Sequence, residues 1–375
     1  MKRSVLAALC AAAALAAAAD PVPVASIRWI DRDFDFGLMK EQAGPKTGSS
    51  RFVNLGPDTV SVFSVKPSCG CTSAEFSDAP VAPGDTAVVS YTYDPHMRPG
   101  KFDKSVKVRL SNGDRYSIRI TGNVLGTPES LATLFPVDAG EMRLTDAVIN
   151  AGEVTFGKSP VFFFNAYSMP LDSISPSVRS ASPGLVVKPS KSKAGPGDIV
   201  TYSLGFDSRR HGVYGHVDIP VEFKADPASD ASPVTVGFRA FVLPDPDYLL
   251  LKQKGANPVC EPAPDIIDLG DMQGLQGDSR PIKSVVTITN AGKGPLGILR
   301  LYSNSDAIRF GKPFSTTPEP GGKAASVTVK PGKTIKVNVE IDPARLPSGP
   351  FRIPVEIITD DPAHPHLQIP VAGMK

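Results

Sequence analysis

A four-step skeleton occurs three times along the chain and constrains its fold more than any other feature. It opens on an apolar residue and Asn: Phe52-Val53-Asn54, Phe164-Asn165 and Ile288-Thr289-Asn290. A Pro-Gly turn follows at Pro83-Gly84, Pro196-Gly197 and Pro331-Gly332. A hydrophobic-Asp step comes next, at Tyr93-Asp94, Phe206-Asp207 and Ile341-Asp342. The set closes on Gly-x-aromatic: Gly100-Lys101-Phe102, Gly212-Val213-Tyr214 and Gly349-Pro350-Phe351. The Pro-Gly turns recur from 84 to 197, 113 residues, and from 197 to 332, 135 residues. Solenoid repeats run about 20 to 50 residues, so each copy here is long enough to be a domain. Three domains of ordinary size fit 375 residues.

The segments between these landmarks read as strands. Val106, Val108 and Leu110 alternate with polar residues up to Ser111-Asn112-Gly113-Asp114, and Tyr116, Ile118 and Ile120 alternate after it. Asn-Gly between two alternating runs predicts a hairpin with a type I′ turn. Val217 to Phe223 pairs naturally with Val234 to Phe238, and Phe351 to Ile357 with Leu367 to Val371. Pro220, Pro354 and Pro370 interrupt these runs. Lacking an N–H, each should face a sheet edge or a bulge. Helical periodicity is confined to one or two turns at Tyr248 to Lys254. The expected fold is all-β: three tandem sandwiches at 20–126, 127–245 and 260–375. The linker is 246–259, within a stretch from Pro244 to Pro264 that five prolines stiffen.

Residues 1–19 read as a cleaved signal peptide. Lys2 and Arg3 form its basic end, an apolar run from Val5 follows, and Ala17-x-Ala19 precedes Asp20. Leu9 directly before Cys10 does not suit lipoprotein cleavage, and no later segment is long and apolar enough to span a bilayer. The protein is therefore expected in the periplasm or elsewhere in the cell envelope, without a transmembrane segment. Without Lys2 and Arg3 the formal charge falls from +2 to zero. A neutral chain lacking a basic run has no electrostatic footprint for nucleic acid. Export also places Cys69, Cys71 and Cys260 in an oxidising space, where three thiols cannot all pair within one chain.

Ser68-Cys69-Gly70-Cys71-Thr72 is the one reactive-looking motif. In an extended strand residues i and i+2 share a face, with Cα atoms about 6.6 Å apart, near the upper limit for a disulfide. Gly70 allows the backbone to bend toward one. Two parallel thiolates suit a soft metal such as Cu(I), but not a four-ligand zinc site. The structural reading, a disulfide or two buried thiols, weighs above metal binding or thiol exchange. Cys260 reads as a bridge to the first domain or as a free or intermolecular thiol. His364-Pro365-His366 lies in a hairpin turn, and His211 and His216 flank Gly212 and Gly215 at a strand start; all four read as solvated turn residues. Pro331-Gly332-Lys333-Thr334 resembles the end of a phosphate loop but aligns with Pro83-Gly84-Asp85-Thr86, which makes it the repeated turn. Phe162 and Phe164 share one strand face; Phe163 faces the other and, if exposed, marks a contact patch.

The first domain resembles a family of exported bacterial proteins, common in the Bacteroidetes and known only as a domain of unknown function. The resemblance rests on Phe36-Gly37, Asn54-Leu55-Gly56, Cys69-Gly70-Cys71-Thr72, Pro83-Gly84 and Gly122. The second and third copies lack the cysteine pair. They look like diverged immunoglobulin-like domains of the same group, related to the Hydin and major-sperm-protein type. Asp268-Leu269-Gly270, Asn290-Ala291-Gly292 and Thr359-Asp360-Asp361-Pro362 carry that likeness in the third. The resemblance implies an immunoglobulin-like fold and no established activity.

No constellation of nucleophile, base and orienting group stands out. The leading expectation is thus a non-enzymatic envelope protein that binds or scaffolds a protein partner and needs no cofactor. The alternative is metal handling or thiol redox through Cys69 and Cys71. Carbohydrate binding or hydrolysis is a third reading, to be recognised by a groove that pairs carboxylates with exposed aromatics.

Overall fold

The computed structural model describes residues 26–272, 280–314 and 326–375. The leader at 1–19, with Lys2, Arg3, Cys10 and the cleavage before Asp20, lies outside the described residues. The fold is all-β, and among the described residues the strands form six sheets. Strand formation follows the alternation of side chains. In Gly215–Lys224, for example, Val217, Ile219, Val221 and Phe223 are buried and the residues between them point away.

Contact density divides the chain into two compact units. One comprises the described residues up to Gly37, with Gly44–Asp94 and Phe102–Gly122. Phe52, Val89 and Tyr91 from one sheet and Val106, Ile118 and Ile120 from the other fill its core. The other unit comprises Leu38–Ala43, Pro95–Lys101 and Asn123–Lys375 and holds two large hydrophobic cores. Phe164, Tyr202, Phe223 and Phe238 centre the earlier of these, and Val286, Ile298, Val339 and Ile357 the later. Each lies between a four-stranded and a five-stranded sheet. Side chains buried this completely are worth about 1.5–3 kcal/mol each relative to exposure.

The repeated landmarks do repeated backbone work. At all three Pro-Gly turns the residue after Gly donates to the carbonyl three positions back: Asp85 to Ala82 at 3.0 Å, Asp198 to Gly195 at 3.1 Å and Lys333 to Lys330 at 3.0 Å. Gly84, Gly197 and Gly332 take φ of 85°, 68° and 67°. Pro at the second position and left-handed Gly at the third make each a type II turn. A further landmark, an acidic or amide residue two before a glycine, also repeats in all three copies. Gly37, Gly152 and Gly270 take φ of 65°, 63° and 61°, and their N–H groups donate to Asp35, Asn150 and Asp268 at 3.0, 3.0 and 2.9 Å. In the later two copies this step is a bulge in a strand that pairs in parallel with the last strand of its copy.

Asn54 and Asn290 are equivalent residues. Each Nδ2 donates to two carbonyls, Asp58 and Val81 for Asn54, Gly294 and Val329 for Asn290. Each Oδ1 accepts the N–H two residues on, at 3.0 Å. The expected third member, Asn165, is out of register. The turn glycines donate to the carbonyls of Asn54, Ser168 and Asn290, so the equivalent position is Ser168. Asn165 instead accepts from Thr201 Oγ1 at 2.7 Å on its sheet face.

Three other expectations meet the structure in instructive ways. The Asn112-Gly113 hairpin is not type I′. Gly113 has φ of 95°, Asn112 is not left-handed, and Gly113 N–H donates to the Leu110 carbonyl at 3.1 Å. This is a turn closed by a left-handed glycine, the three-residue alternative. Pro354 and Pro370 stand opposite each other in mid-sheet, which works because neither position has an N–H to donate across the pair. On their outer sides the neighbouring strands do not reach them, and the strand beside Pro220 likewise stops at Val221. Helix α1, Pro128–Leu134, was not expected. Thr127 caps it, with its Oγ1 accepting from Ser130 N at 3.2 Å, and Pro128 opens it. Helix α2 is a single turn, Ser208–His211, capped by Asp207.

The proline-rich stretch after Pro244 is structured. Helix α3 spans Pro246–Gln253, and Cys260–Ala263 pairs with Ile282–Asn290. Ala291, Lys293 and Gly294 donate to carbonyls of Val259 and Asn257, and a side chain at Gly292 or Gly294 would collide with that backbone. Gln253 Nε2 reaches the Asp360 carbonyl at 2.7 Å.

Candidate functional site

Cys69 and Cys71 occupy the corner where the chain leaves the strand Val62–Pro67 of one sheet for Thr72–Phe76 of the other. The corner is a turn rather than the extended strand expected, with Thr72 N–H donating to the Cys69 carbonyl at 3.4 Å. The turn shortens the Cα separation to 5.3 Å, and the two sulfurs are bonded to each other. Cys71 is buried and Cys69 half-buried. Asp94 N donates to the Cys71 carbonyl at 2.9 Å and Ser68 N to the Ser105 carbonyl at 2.8 Å, tying the corner to both sheets. Cys260 is a free thiol in the strand Cys260–Ala263, and burial pushes it up to about 12, far from the reactive thiolate. Among the described residues no group of three or more His, Cys, Asp or Glu is arranged to hold a metal ion.

Of the four histidines expected to be solvated turn residues, His364 fits, and His211, His216 and His366 instead make specific contacts. His364 is exposed beside Asp361, as a turn residue should be. His211 is buried: its Nδ1 lies 3.2 Å from Ser182 Oγ and its ring packs on Phe206, with burial holding its pKa below the ordinary value. His366 and His216 converge on a carboxylate that sequence reasoning passed over. Glu356 is only 1% exposed. His366 Nε2 lies 2.5 Å from its Oε2, Gln368 Nε2 donates to it at 3.2 Å, and His216 Nε2 lies 3.8 Å from its Oε1.

Sheet register explains the convergence. Tyr302, Glu356 and Gln368 stand on one rung of adjacent strands, and Arg300, Ile358 and His366 on the next rung of the same face, two residues along. Arg300 Nη1 donates to the carbonyls of Tyr214 and His216, its guanidinium lies over the Tyr302 ring, and Tyr302 Oη accepts from His216 N at 2.8 Å. Gly215, with φ of 79°, leaves the space that the Tyr302 hydroxyl fills. The segment 214–216 is thereby seated on the later of the unit's two cores. Burial would raise the Glu356 pKa, yet its bonds from His366 and Gln368 and the nearby imidazoles hold it below the usual carboxylate range. Burial lowers His216, with Arg300 and His366 opposing its charge and Glu356 favouring it. One signal was available in the sequence: Arg300 and Glu356 are charges set inside otherwise apolar strands, Leu-Gly-Ile-Leu-Arg-Leu-Tyr and Val-Glu-Ile-Ile.

A groove of about 770 Å³ opens beside this cluster. Its floor is the outward face of one sheet, where Asn150, Arg239 and Asp218 form one cross-strand row and Glu153, Phe241 and His216 the next. Arg239 Nε donates to Asp218 Oδ2 at 3.1 Å. His366, Gln368 and Asn304 line the opposing wall. The Phe241 ring centroid is 4.6 Å from that of His216 and 4.8 Å from that of His366.

A separate apolar patch lies on the outward face of the sheet that contains Val161–Ser168. Phe163 is 60%, Val161 52% and Val186 45% exposed. Val161 and Val186 stand on either side of Gly205 in the same row. Phe164, on the opposite face, is in the core and Phe162 packs against it.

Residues 27–124 match the model of a family described as a protein of unknown function, DUF1573. The match spans about a quarter of the chain. No curated protein matches the chain. Similar solved structures include a protein of unknown function from Porphyromonas gingivalis W83, 16% identical over 63% of this chain and 100% of that one, with a TM-score of 0.45. The secreted serine protease VesC from Vibrio cholerae is 14% identical over 55% of this chain and 48% of its own, with a TM-score of 0.26. The sialic acid binding region of a Streptococcus sanguinis SK1 adhesin is 9% identical over 81% and 96%, with a TM-score of 0.21.

Proposed function

We propose that this is a non-enzymatic protein of the cell envelope, built of three sandwiches at 20–126, 127–245 and 260–375 of immunoglobulin-like, Hydin-related type, that binds or scaffolds a protein partner. The patch of Val161, Phe163 and Val186 carries the reading. Single exposed hydrophobics are ordinary, but an aromatic and two valines on one sheet face around a side-chain-free Gly205 form a surface suited to an apolar anchor. The acid–base groups suit holding more than turnover, because Glu356 and His366 are bonded to each other and the carboxylate is shut from solvent. The Cys69–Cys71 disulfide supports export to an oxidising compartment and a structural role for the pair over soft-metal handling.

The test is a pulldown from envelope extract with the wild-type chain and a Phe163→Ser variant. The proposal expects a reproducible partner that the variant loses. An identical profile for both, or no partner for either, would overturn it, and sedimentation of the purified chain separates a foreign partner from a second copy.

A further inference from the structure

From the groove beside Glu356 we infer a second binding site, for a neutral oligosaccharide, distinct from the patch at Phe163. Its volume of about 770 Å³ lies within the range of small-ligand sites, about 300–1,000 Å³. Its floor sets donors and acceptors side by side in two ordered rows. Asn150 uses its Oδ1 on Gly152 N, which leaves its Nδ2 as a donor, and Arg239 engages Asp218 through Nε, which leaves its terminal nitrogens. Glu153 and Asp218 supply acceptors, and Gln368 and Asn304 add amides from the opposite wall. A hydroxyl is both donor and acceptor, so a surface of interleaved amides, carboxylates and one guanidinium matches a hydroxyl-rich ligand group by group.

Charge narrows the class. Among the described residues of the lining, Arg239 is the one Lys or Arg and is paired with Asp218, while Glu153 adds negative charge. A phosphorylated or sulfated ligand would need uncompensated cations there. Phe241, half-buried between the His216 and His366 rings, gives the floor an apolar contact for the C–H groups of a sugar. The rows are fixed by sheet register, and the His366 wall is held by the Glu356 cluster, so the site is largely formed before ligand arrives.

The full chain would be titrated calorimetrically with cellohexaose, xylohexaose, mannohexaose and chitohexaose, with a sulfated oligosaccharide and an acidic peptide alongside. Arg239→Gln changes an exposed side chain, and Phe241→Leu keeps an apolar group on the floor; circular dichroism verifies that both fold. Binding of at least one neutral hexamer, weakened about tenfold or more in both variants and unchanged in Asp306→Asn outside the groove, is the expected result. No binding of any neutral hexamer, binding confined to the sulfated sugar or the peptide, or equal affinity in wild type and both variants would overturn the inference.

Discussion

At the scale of single residues, the fold depends on a few polar side chains that substitute for backbone pairing. Asn290 is fully buried and satisfies two carbonyls and two N–H groups, those of Gly292 and Val259. Its truncation would remove all four bonds, and each buried group left unsatisfied costs about 1–3 kcal/mol. Asn290→Ala is therefore expected to destabilise by about 3 kcal/mol or more in urea unfolding. Ser168, its counterpart in the preceding copy, is too short for those bonds, and its hydroxyl is buried without a partner. Ser168→Ala removes a buried hydroxyl that has no partner and should leave stability unchanged or raise it. Equal losses for the two substitutions would show that the counterpart relation is wrong. Asn165 looked like the repeated residue because it follows an apolar neighbour. Only the bond from the turn glycine reveals that the position belongs to Ser168.

At the scale of elements, the corner at Cys69–Cys71 joins two sheets through four residues, Ser68 to Cys71, and the disulfide closes a very short loop. Loop-closure entropy for so few residues is small, so replacing both cysteines by serine should cost only about 1–2 kcal/mol. Thermal unfolding of the Cys69→Ser, Cys71→Ser double variant checks this; loss of folding altogether would mean that the corner organises both sheets. The motif was evident in the sequence, but its conformation was not, because Gly70 permits strand and turn alike. Strand identity and hairpin pairing were legible from alternation, whereas turn type was not: Asn-Gly favours type I′ but also fits a three-residue loop that ends on a left-handed glycine. Helix α1 carried the expected start signals, Thr then Pro, but is too short to show helical periodicity.

At the scale of the whole molecule, the larger unit is sensitive to acid through the groups around Glu356. His216 and Glu356 both titrate lower in the folded chain than in the unfolded one. The unfolded chain therefore binds more protons, and their stabilisation is present at high pH and lost on acidification. His216 governs the range below about pH 6.5 and Glu356 that below about 4.5. His211, lowered by burial, adds to the first range. Asp360, raised by burial, runs the opposite way near its own ordinary value of 3.8. Urea unfolding of the larger unit should thus show stability falling from pH 7.5 to pH 5, with a shallower fall in His216→Gln that reflects the remaining His211. Identical slopes for wild type and variant would remove His216 from this account.

The sequence by itself determined the strands, the repeated turns, the all-β class and the cysteine pair, because each is written in short-range chemistry: alternation, left-handed glycines, proline's fixed φ and local spacing. Only the tertiary structure decided that Arg300, Tyr302, Glu356, Gln368, His366 and His216 form one cluster, and that Asn150, Arg239, Asp218 and Phe241 share a groove. Within each group the residues come from segments up to about 150 positions apart and meet through sheet register and the seating of residues 214–216 on the strand Leu296–Tyr302. Register depends on pairing between distant strands, which no local pattern specifies by itself.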